Sequence, residues 1–211
     1  HKTRNDARHY FCLTIRIMLR LKLPTDPRWV NIAEKNIDEI LTDHAYCEQK
    51  AASAAISFII SHPELDELTT AMAELAIEEM DHFKRVHEHI VKRGLKLGRE
   101  RKDPYVKDLR KFFSQGSNRR RHLINNLLTA AMIEARSCER FRVLSENISD
   151  PELADFYAEL MKSEAMHYTM FFKFARQYGA EVCDVDAIWE DFLEYEAIVI
   201  AKYGKKEQIH G

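Results

Sequence analysis

Two pairs of residues with the spacing Glu-x-x-His are the clearest candidates for metal chemistry in this sequence. They are Glu79 with His82, and Glu164 with His167. A step of three residues along a helix turns about 300°, so the two side chains of each pair lie on one face and can bind the same ion. Carboxylates combined with imidazoles suit iron or manganese better than a metal that prefers thiolates. The pairs therefore predict a shared metal centre held by helices.

Two further glutamates complete a recurring type of ligand set. Glu48 and Glu134 each stand on a helical face that is otherwise apolar or made of small residues, so we expect their carboxylates to point inward. One Glu from each of two helices, with Glu-x-x-His from each of two others, is the ligand set of carboxylate-bridged di-iron or di-manganese bundles. Four carboxylates neutralise two divalent cations, whereas burying them without metal costs several kcal/mol per ion. The predicted metal ligands are Glu48, Glu79, His82, Glu134, Glu164 and His167.

Neighbouring acids leave alternatives to this set. A single Glu-x-x-His on a helix is commonly a solvated ion pair, so the prediction depends on finding two of them in register with two more glutamates. Glu78 and Glu139 adjoin the predicted ligands but do not keep the repeat spacing. We expect both to face solvent or to lie behind the ligands.

Tyr157 and the remaining histidines are secondary candidates. Tyr157 precedes Glu164 by seven residues on the same helical face, which predicts either a hydrogen-bond or radical partner in the metal cavity or, more simply, a core residue,. Five histidines lack the paired geometry, and we expect them at the surface or at helix ends. They are His44, His62, His87, His89 and His122.

Helices are the only regular elements that the sequence predicts. Six Gly and five Pro among 211 residues leave few interruptions, and no run alternates with a period of two,. A short amphipathic helix is expected after Pro27,. The longer segments with helical periodicity cover residues 43–61, 63–93, 105–113, 118–148, 151–179 and 184–203,.

The chain repeats itself, and the repeat predicts how the helices are arranged. Glu48 and Glu79 are 31 residues apart, Glu134 and Glu164 are 30 apart, and the letters PEL stand between the members of each pair. Two related hairpins joined by a long crossover predict an all-α, antiparallel four-helix bundle. We expect residues 1–17 to be an N-terminal extension and residues 18–211 to form one domain.

Positive charge is concentrated in one segment of the chain. Between Lys92 and Arg121, 12 Lys or Arg against three Asp or Glu give a local charge of +9, although the whole chain carries -2. With Tyr105, Phe112 and Phe113 interleaved, this composition favours phosphate binding with base stacking, and a solvated basic loop is the alternative. The predicted RNA-binding residues are Lys96, Arg99, Arg101, Lys102, Arg110, Lys111, Arg119, Arg120 and Arg121.

Cysteine usage and the N-terminal composition bear on the compartment. The four cysteines form no CxxC pair, which argues against a zinc ribbon and against a disulfide scaffold,. The apolar run from Tyr10 to Leu23 is interrupted by three basic residues, so it resembles neither a signal peptide nor a membrane span,. We therefore expect a cytoplasmic protein without a membrane partner.

Four phrases around the predicted ligands resemble the tRNA hydroxylase family MiaE, which belongs to the ferritin-like di-iron superfamily. They read LTDHAYCEQKAASAA, LAIEEMDHF, AAMIEARSCERF and SEAMHY, and the likeness extends over about residues 18–200. The resemblance implies a ferritin-like bundle with a long crossover and extra flanking helices, and it places the same six residues on the metals. It also implies O2-dependent hydroxylation of the isopentenyl group of a methylthio-isopentenyl-adenosine next to the tRNA anticodon.

The cofactors and partners follow from this resemblance. It implies two iron ions, where residue spacing alone leaves manganese open, together with O2 as co-substrate and an external electron donor. The tRNA anticodon loop and a separate reductase are the expected partners, and no DNA is expected. A ferritin-like iron-oxidising or peroxide-removing protein without an RNA substrate is the alternative, and it would not need the basic segment. A helical scaffold with purely structural acids is the third hypothesis.

Overall fold

The computed structural model describes residues 18–102, 104–113, 118–203 and 209, and all regular structure within these ranges is helical. The predicted N-terminal extension, residues 1–17, lies outside the described residues. No helix in these ranges combines the length and apolar character needed to span a bilayer. The helices are α1 (Trp29–Lys35), α2 (Ile37–Ser61), α3 (Asp66–Lys92), α4 (Pro104–Leu109), α5 (Arg119–Asn147), α6 (Pro151–Gly179) and α7 (Val185–Tyr203), and Arg110–Phe112 form one 3-10 turn.

The chain divides into two compact units, and the described part of the first comprises residues 31–102 and 209. Its long helices, α2 and α3, form a hairpin. Helix α2 begins at Ile37 rather than at Asp43, because the apolar series from Ile37 runs into the alanine-rich face without a Gly or Pro. Thr42 and Asp43, whose residue types suit a helix N-cap, are consequently buried inside the helix,.

The chain after α3 is fixed along α2 within the same unit. The backbone N–H of Gly98 donates to Thr42 Oγ1 at 3.3 Å, and Tyr46 Oη donates to the Gly98 carbonyl at 3.1 Å. One turn further along α2, Lys50 Nζ donates to the Arg101 carbonyl at 3.2 Å. A Cβ at Gly98 would lie 3.1 Å from Thr42 Cγ2, so this close approach favours glycine. The first half of the basic segment is therefore held against a helix.

The described part of the second unit comprises residues 18–30, 104–113 and 118–203. Its hairpin, α5 with α6, has the helix starts that the sequence predicts. Asn118 Oδ1 accepts the backbone N–H of Arg121 at 2.8 Å, and Asp150 Oδ1 accepts the N–H of Glu152 at 2.9 Å. These side chains satisfy N–H groups that have no partner inside the helix. Both long helices of the hairpin thus begin at capped ends.

A buried charge network ties α7 to α4 and α5 inside the second unit. Arg136 Nη2 donates to both Glu196 oxygens at 2.6 and 2.8 Å, and Tyr105 Oη donates to Glu196 at 2.9 Å. Burial alone would lower the pKa of Arg136, but the adjacent Glu196 carboxylate raises it above the ordinary arginine value,. Burial and the same carboxylate raise the pKa of Tyr105 well above its ordinary value. The flanking helix α7 is thus joined to the hairpin by paired charges.

Candidate metal centre

The α2–α3 hairpin brings three of the predicted ligands together. Glu48 on α2 and the Glu79–His82 pair on α3 are buried, and one donor atom from each lies within 4.8 Å of the others. Glu48 stands between Ala45 and Ala52 on its face of α2. These small side chains leave room for a neighbouring helix beside the carboxylate. His82 Nδ1 lies 3.3 Å from Glu79 Oε2, as expected for side chains three residues apart on a helix,.

The α5–α6 hairpin repeats this arrangement with the other three predicted ligands. Glu134 on α5 and the Glu164–His167 pair on α6 are buried, and one donor atom from each also lies within 4.8 Å of the others. His167 Nδ1 lies 3.8 Å from Glu134 Oε2 and 4.0 Å from Glu164 Oε1. Each hairpin therefore carries two glutamates and one histidine in one buried group, which we call its donor group.

The chemistry of each donor group fits iron or manganese. Two carboxylate oxygens and one imidazole nitrogen are suitable ligands for these ions. The carboxylate–imidazole distances in the α5–α6 donor group exceed hydrogen-bond lengths, which is the spacing of donors arranged around an ion rather than bonded to one another,. Burial of carboxylates without a compensating cation costs several kcal/mol per charge. A divalent cation offsets that cost.

The two acids beside the predicted ligands, Glu78 and Glu139, differ in exposure. Glu78 is 42% exposed, with its Oε1 at 3.8 Å from His82 Nε2, so it lies at the solvent side as predicted. Glu139 is buried, so of its two predicted positions, facing solvent or lying behind the ligands, the structure excludes the first. Its Oε1 accepts the backbone N–H of Thr25 at 3.0 Å and a hydrogen bond from Arg142 at 3.3 Å. These contacts orient Glu139 toward the N-terminal segment of its unit.

Tyr157 belongs to an aromatic cluster in the α5–α6 hairpin. Its side chain is fully buried, and its ring centroid lies 5.3 Å from that of Phe141 and 5.5 Å from that of Phe156. This packing agrees with the simpler interpretation of Tyr157 as a core residue. Tyr157 lies two helical turns before Glu164 on α6. Its role as a hydrogen-bond partner in the metal cavity stays a prediction.

His44 is a residue whose role sequence reasoning missed. We expected it at the surface or at a helix end, but it is fully buried in α2 and its Nε2 lies 2.6 Å from Glu48 Oε1. The prediction is wrong because α2 starts seven residues before His44 and not beside it. The signal that could have identified it is the four-residue spacing from Glu48, which puts both side chains on one helical face.

The predicted RNA-binding residues lie at the surface of both units. Eight of the nine are exposed and Arg121 is half-buried. Some of their contacts lie within one unit: Arg101 pairs with Glu39, Lys111 with Asp108 at 2.5 Å, and Arg120 Nε donates to the Tyr178 carbonyl at 3.1 Å. The four from Lys96 to Lys102 stand on the segment that is fixed along α2.

Of the aromatic residues interleaved with this basic segment, Tyr105 cannot contribute to the predicted stacking surface, and Phe112 and Phe113 are half-buried. Tyr105 is fully buried and bonded to Glu196, so its ring has no free face for a base. The ring centroids of Phe112 and Phe113 lie 4.9 and 5.0 Å from that of Phe192 on α7. The spacing of these aromatics reflects packing of α4 and the 3-10 turn against α7.

Comparisons with known proteins point to one family. Residues 13–211 match the family model described as tRNA-(ms2io6A)-hydroxylase (MiaE). A relative from Pseudomonas putida, named tRNA 2-(methylsulfanyl)-N(6)-isopentenyladenosine(37) hydroxylase, is 38% identical over 76% of this chain and 77% of its own. A relative from Salmonella typhimurium with the same name is 30% identical over 90% of this chain and 87% of its own.

A solved structure supports the fold class. It is described as protein 43 with aldehyde deformylating oxygenase activity from Synechococcus, and it matches with a TM-score of 0.77 and 31% sequence identity over 90% of this chain and 95% of that one. The predicted all-α, ferritin-like fold class is confirmed by this likeness and by the helices described above. Because the family model matches residues 13–211, nearly the whole chain, the chain belongs to the MiaE family of tRNA hydroxylases.

Proposed function

We propose that the chain is a di-iron tRNA hydroxylase acting on the isopentenyl group of methylthio-isopentenyl-adenosine next to the anticodon. One observation carries this proposal. This chain, which belongs to the MiaE family, contains two buried donor groups of the same composition, one in each hairpin. The names of the relatives, which specify hydroxylation of this tRNA nucleoside, support the same substrate.

The two donor groups are proposed to form one dinuclear centre, with residues 18–211 acting as a single domain. Their four carboxylates supply four negative charges, which two divalent cations neutralise. Bound iron would supply the activation of O2 that attack on an allylic C–H bond requires. The six proposed ligands are Glu48, Glu79, His82, Glu134, Glu164 and His167.

The contribution of the protein is a dry and rigid environment for this chemistry. Each of the six residues is at most 5% exposed, so bulk water is largely excluded from the donors,. Helices fix the spacing of Glu and His within each pair more rigidly than loops would. We assign Tyr157 a hydrogen-bonding position near the α5–α6 donor group, which its burial and its place on α6 support.

The exposed basic residues are proposed to hold the tRNA backbone. Phosphate contacts set register and orientation without reading bases, which suits an enzyme that must present one particular nucleotide. The target adenosine must leave its stack to reach a buried centre, and recognition of splayed bases in loops is common for RNA. The anticodon loop is therefore the proposed partner, while the packed rings of Phe112 and Phe113 favour phosphate binding over base stacking.

A separate reductase is proposed as the electron donor, in the cytoplasm where tRNA is modified. Insertion of one oxygen atom from O2 into a C–H bond reduces the other oxygen atom to water, which requires two electrons and two protons from outside. The sequence contains no CxxC pair that would hold an iron–sulfur or dithiol carrier,. We therefore propose that the electrons arrive from another protein.

A reconstituted reaction with isotopically labelled O2 tests the proposal. Purified chain loaded anaerobically with Fe2+ is mixed with a chemical reductant, labelled O2 and tRNA that carries the unhydroxylated nucleoside. We expect one labelled oxygen atom in the isopentenyl group of the released nucleoside, measured by mass spectrometry. When the reductant is omitted, the two Fe2+ ions supply the electrons for a single turnover, so product should not exceed about one nucleoside per protein chain. If reductant and O2 are consumed but the nucleoside stays unhydroxylated, the result would instead indicate the iron-oxidising alternative.

A further inference from the structure

His44 makes the shortest polar contact to any residue of the two donor groups among the contacts described above. Its side chain is fully buried, and Glu48, one helical turn later, is 4% exposed. His44 Nε2 lies 2.6 Å from Glu48 Oε1. A carboxylate oxygen accepts, so the imidazole Nε2–H is the donor in this hydrogen bond.

The contact occupies one oxygen of Glu48 and so determines how the carboxylate is oriented. With Oε1 held by His44, the carboxylate cannot rotate freely about its terminal bond. Glu48 is the only member of the α2–α3 donor group supplied by α2, so its orientation depends on α2 side chains. His44 stands on the same face of that helix, where it can fix the orientation directly.

A second buried histidine in the same hairpin provides the contrast. His62, at the C-terminal end of α2, is 5% exposed, and its Nδ1 lies 3.9 Å from Glu64 Oε1, beyond hydrogen-bond distance,. Its backbone N–H donates to the Phe58 carbonyl at 2.9 Å, which ends the helix. The distance from His62 to Glu64 is thus 1.3 Å longer than the distance from His44 to Glu48, although both histidines are buried.

We propose that His44 is a positioning residue that holds Glu48 in the orientation needed to bind a divalent cation. This inference rests on the proposed function, because it assumes that Glu48 is a metal ligand. Hydrogen bonds to ligating side chains typically contribute 10–100-fold to metal affinity or activity. His44 acts through Glu48 and does not itself contact the cation.

Anaerobic titration of the apoprotein with Co2+, followed by its visible absorption, tests this role without activity measurements. We expect His44→Leu, which removes the donor but keeps an apolar buried side chain, to weaken Co2+ binding at one of two sites by about 10–100-fold. His44→Gln retains an N–H donor of similar reach and should recover most of that affinity. Substituting His62 in the same two ways should leave the titration and the Co2+ spectrum unchanged.

A double substitution separates positioning from a general loss of structure. If His44 acts only through Glu48, then adding His44→Leu to Glu48→Ala should cause no further loss of Co2+ affinity. A further loss of tenfold or more in the double variant would contradict positioning, as would wild-type affinity and spectrum in His44→Leu. If His44→Leu does not fold, His44→Asn replaces it, because the shorter amide does not reach Glu48. Positioning then predicts near wild-type Co2+ affinity for His44→Gln and weaker affinity for His44→Asn, and equal affinities in these two variants would contradict it. Wild-type protein that takes up no Co2+ would overturn the proposed metal centre itself.

Discussion

Glu134→Ala is expected to reduce hydroxylation of the tRNA nucleoside to less than about one hundredth of the wild-type level. Glu134 is the only member of the α5–α6 donor group supplied by α5, and the variant leaves its cation without that carboxylate. Loss of a group that merely orients a ligand already costs 10–100-fold, so loss of the ligand should cost more. The measurement is the fraction of hydroxylated nucleoside in tRNA from a deletion strain that expresses the variant.

Two controls show whether the loss arises at the metal centre. Glu146→Ala removes an exposed carboxylate from the same helix, and it should support wild-type levels of the hydroxylated nucleoside. Apoprotein of Glu134→Ala should unfold at a temperature no lower than wild-type apoprotein, because the substitution removes a buried charge that costs free energy when no cation is present. Normal hydroxylation by Glu134→Ala would exclude Glu134 as a ligand.

Replacing Lys96, Arg99 and Lys102 by alanine should weaken tRNA binding by about tenfold to a hundredfold at physiological salt. All three side chains are exposed, and the nearby backbone at Gly98 and Arg101 is fixed along α2, so the substitutions remove charge without releasing the segment. Each lost phosphate contact should also lower the slope of log K against log salt by about 0.7–0.9. Titration of tRNA at several salt concentrations measures both quantities.

A variant with the same change in net charge distinguishes a local effect from a general one. Lys84, Lys162 and Lys173 are exposed and lie outside the segment between Lys92 and Arg121. Their replacement by alanine should leave the salt slope within about 0.5 of the wild-type value, since no specific phosphate contact is lost. Equal losses of affinity in the two triple variants would contradict a dedicated RNA-binding segment and favour the ferritin-like alternative.

The donor groups could be predicted from sequence because their signal is local. Glu-x-x-His fixes two side chains on one helical face whatever the rest of the fold does, and the repeat adds Glu48 and Glu134 at matching distances,. The structure buries all six residues in two groups of three. The helix starts at Asn118 and Asp150 could also be predicted from the sequence, because a capping side chain contacts N–H groups only two or three residues away,.

Features that depend on tertiary packing could not be predicted from local sequence patterns. Tyr105, Phe112 and Phe113 look like a base-stacking series among basic residues, but their neighbours Phe192 and Glu196 are about 80 to 90 residues away in the chain. His44 was misjudged because α2 continues through Thr42 and Asp43, which by residue type resemble a helix cap,. Burial decided these roles, and it depends on partners that sequence spacing does not specify.

Anomalous diffraction at the iron edge from crystals of the iron-loaded protein, combined with the metal content of the same sample, tests the central proposal most directly. We predict two iron ions per chain, with both donor groups, Glu48, Glu79 and His82 in one and Glu134, Glu164 and His167 in the other, among their ligands. Fewer than about one iron per chain after anaerobic loading, or iron bound away from these six side chains, would contradict the assignment of a dinuclear centre.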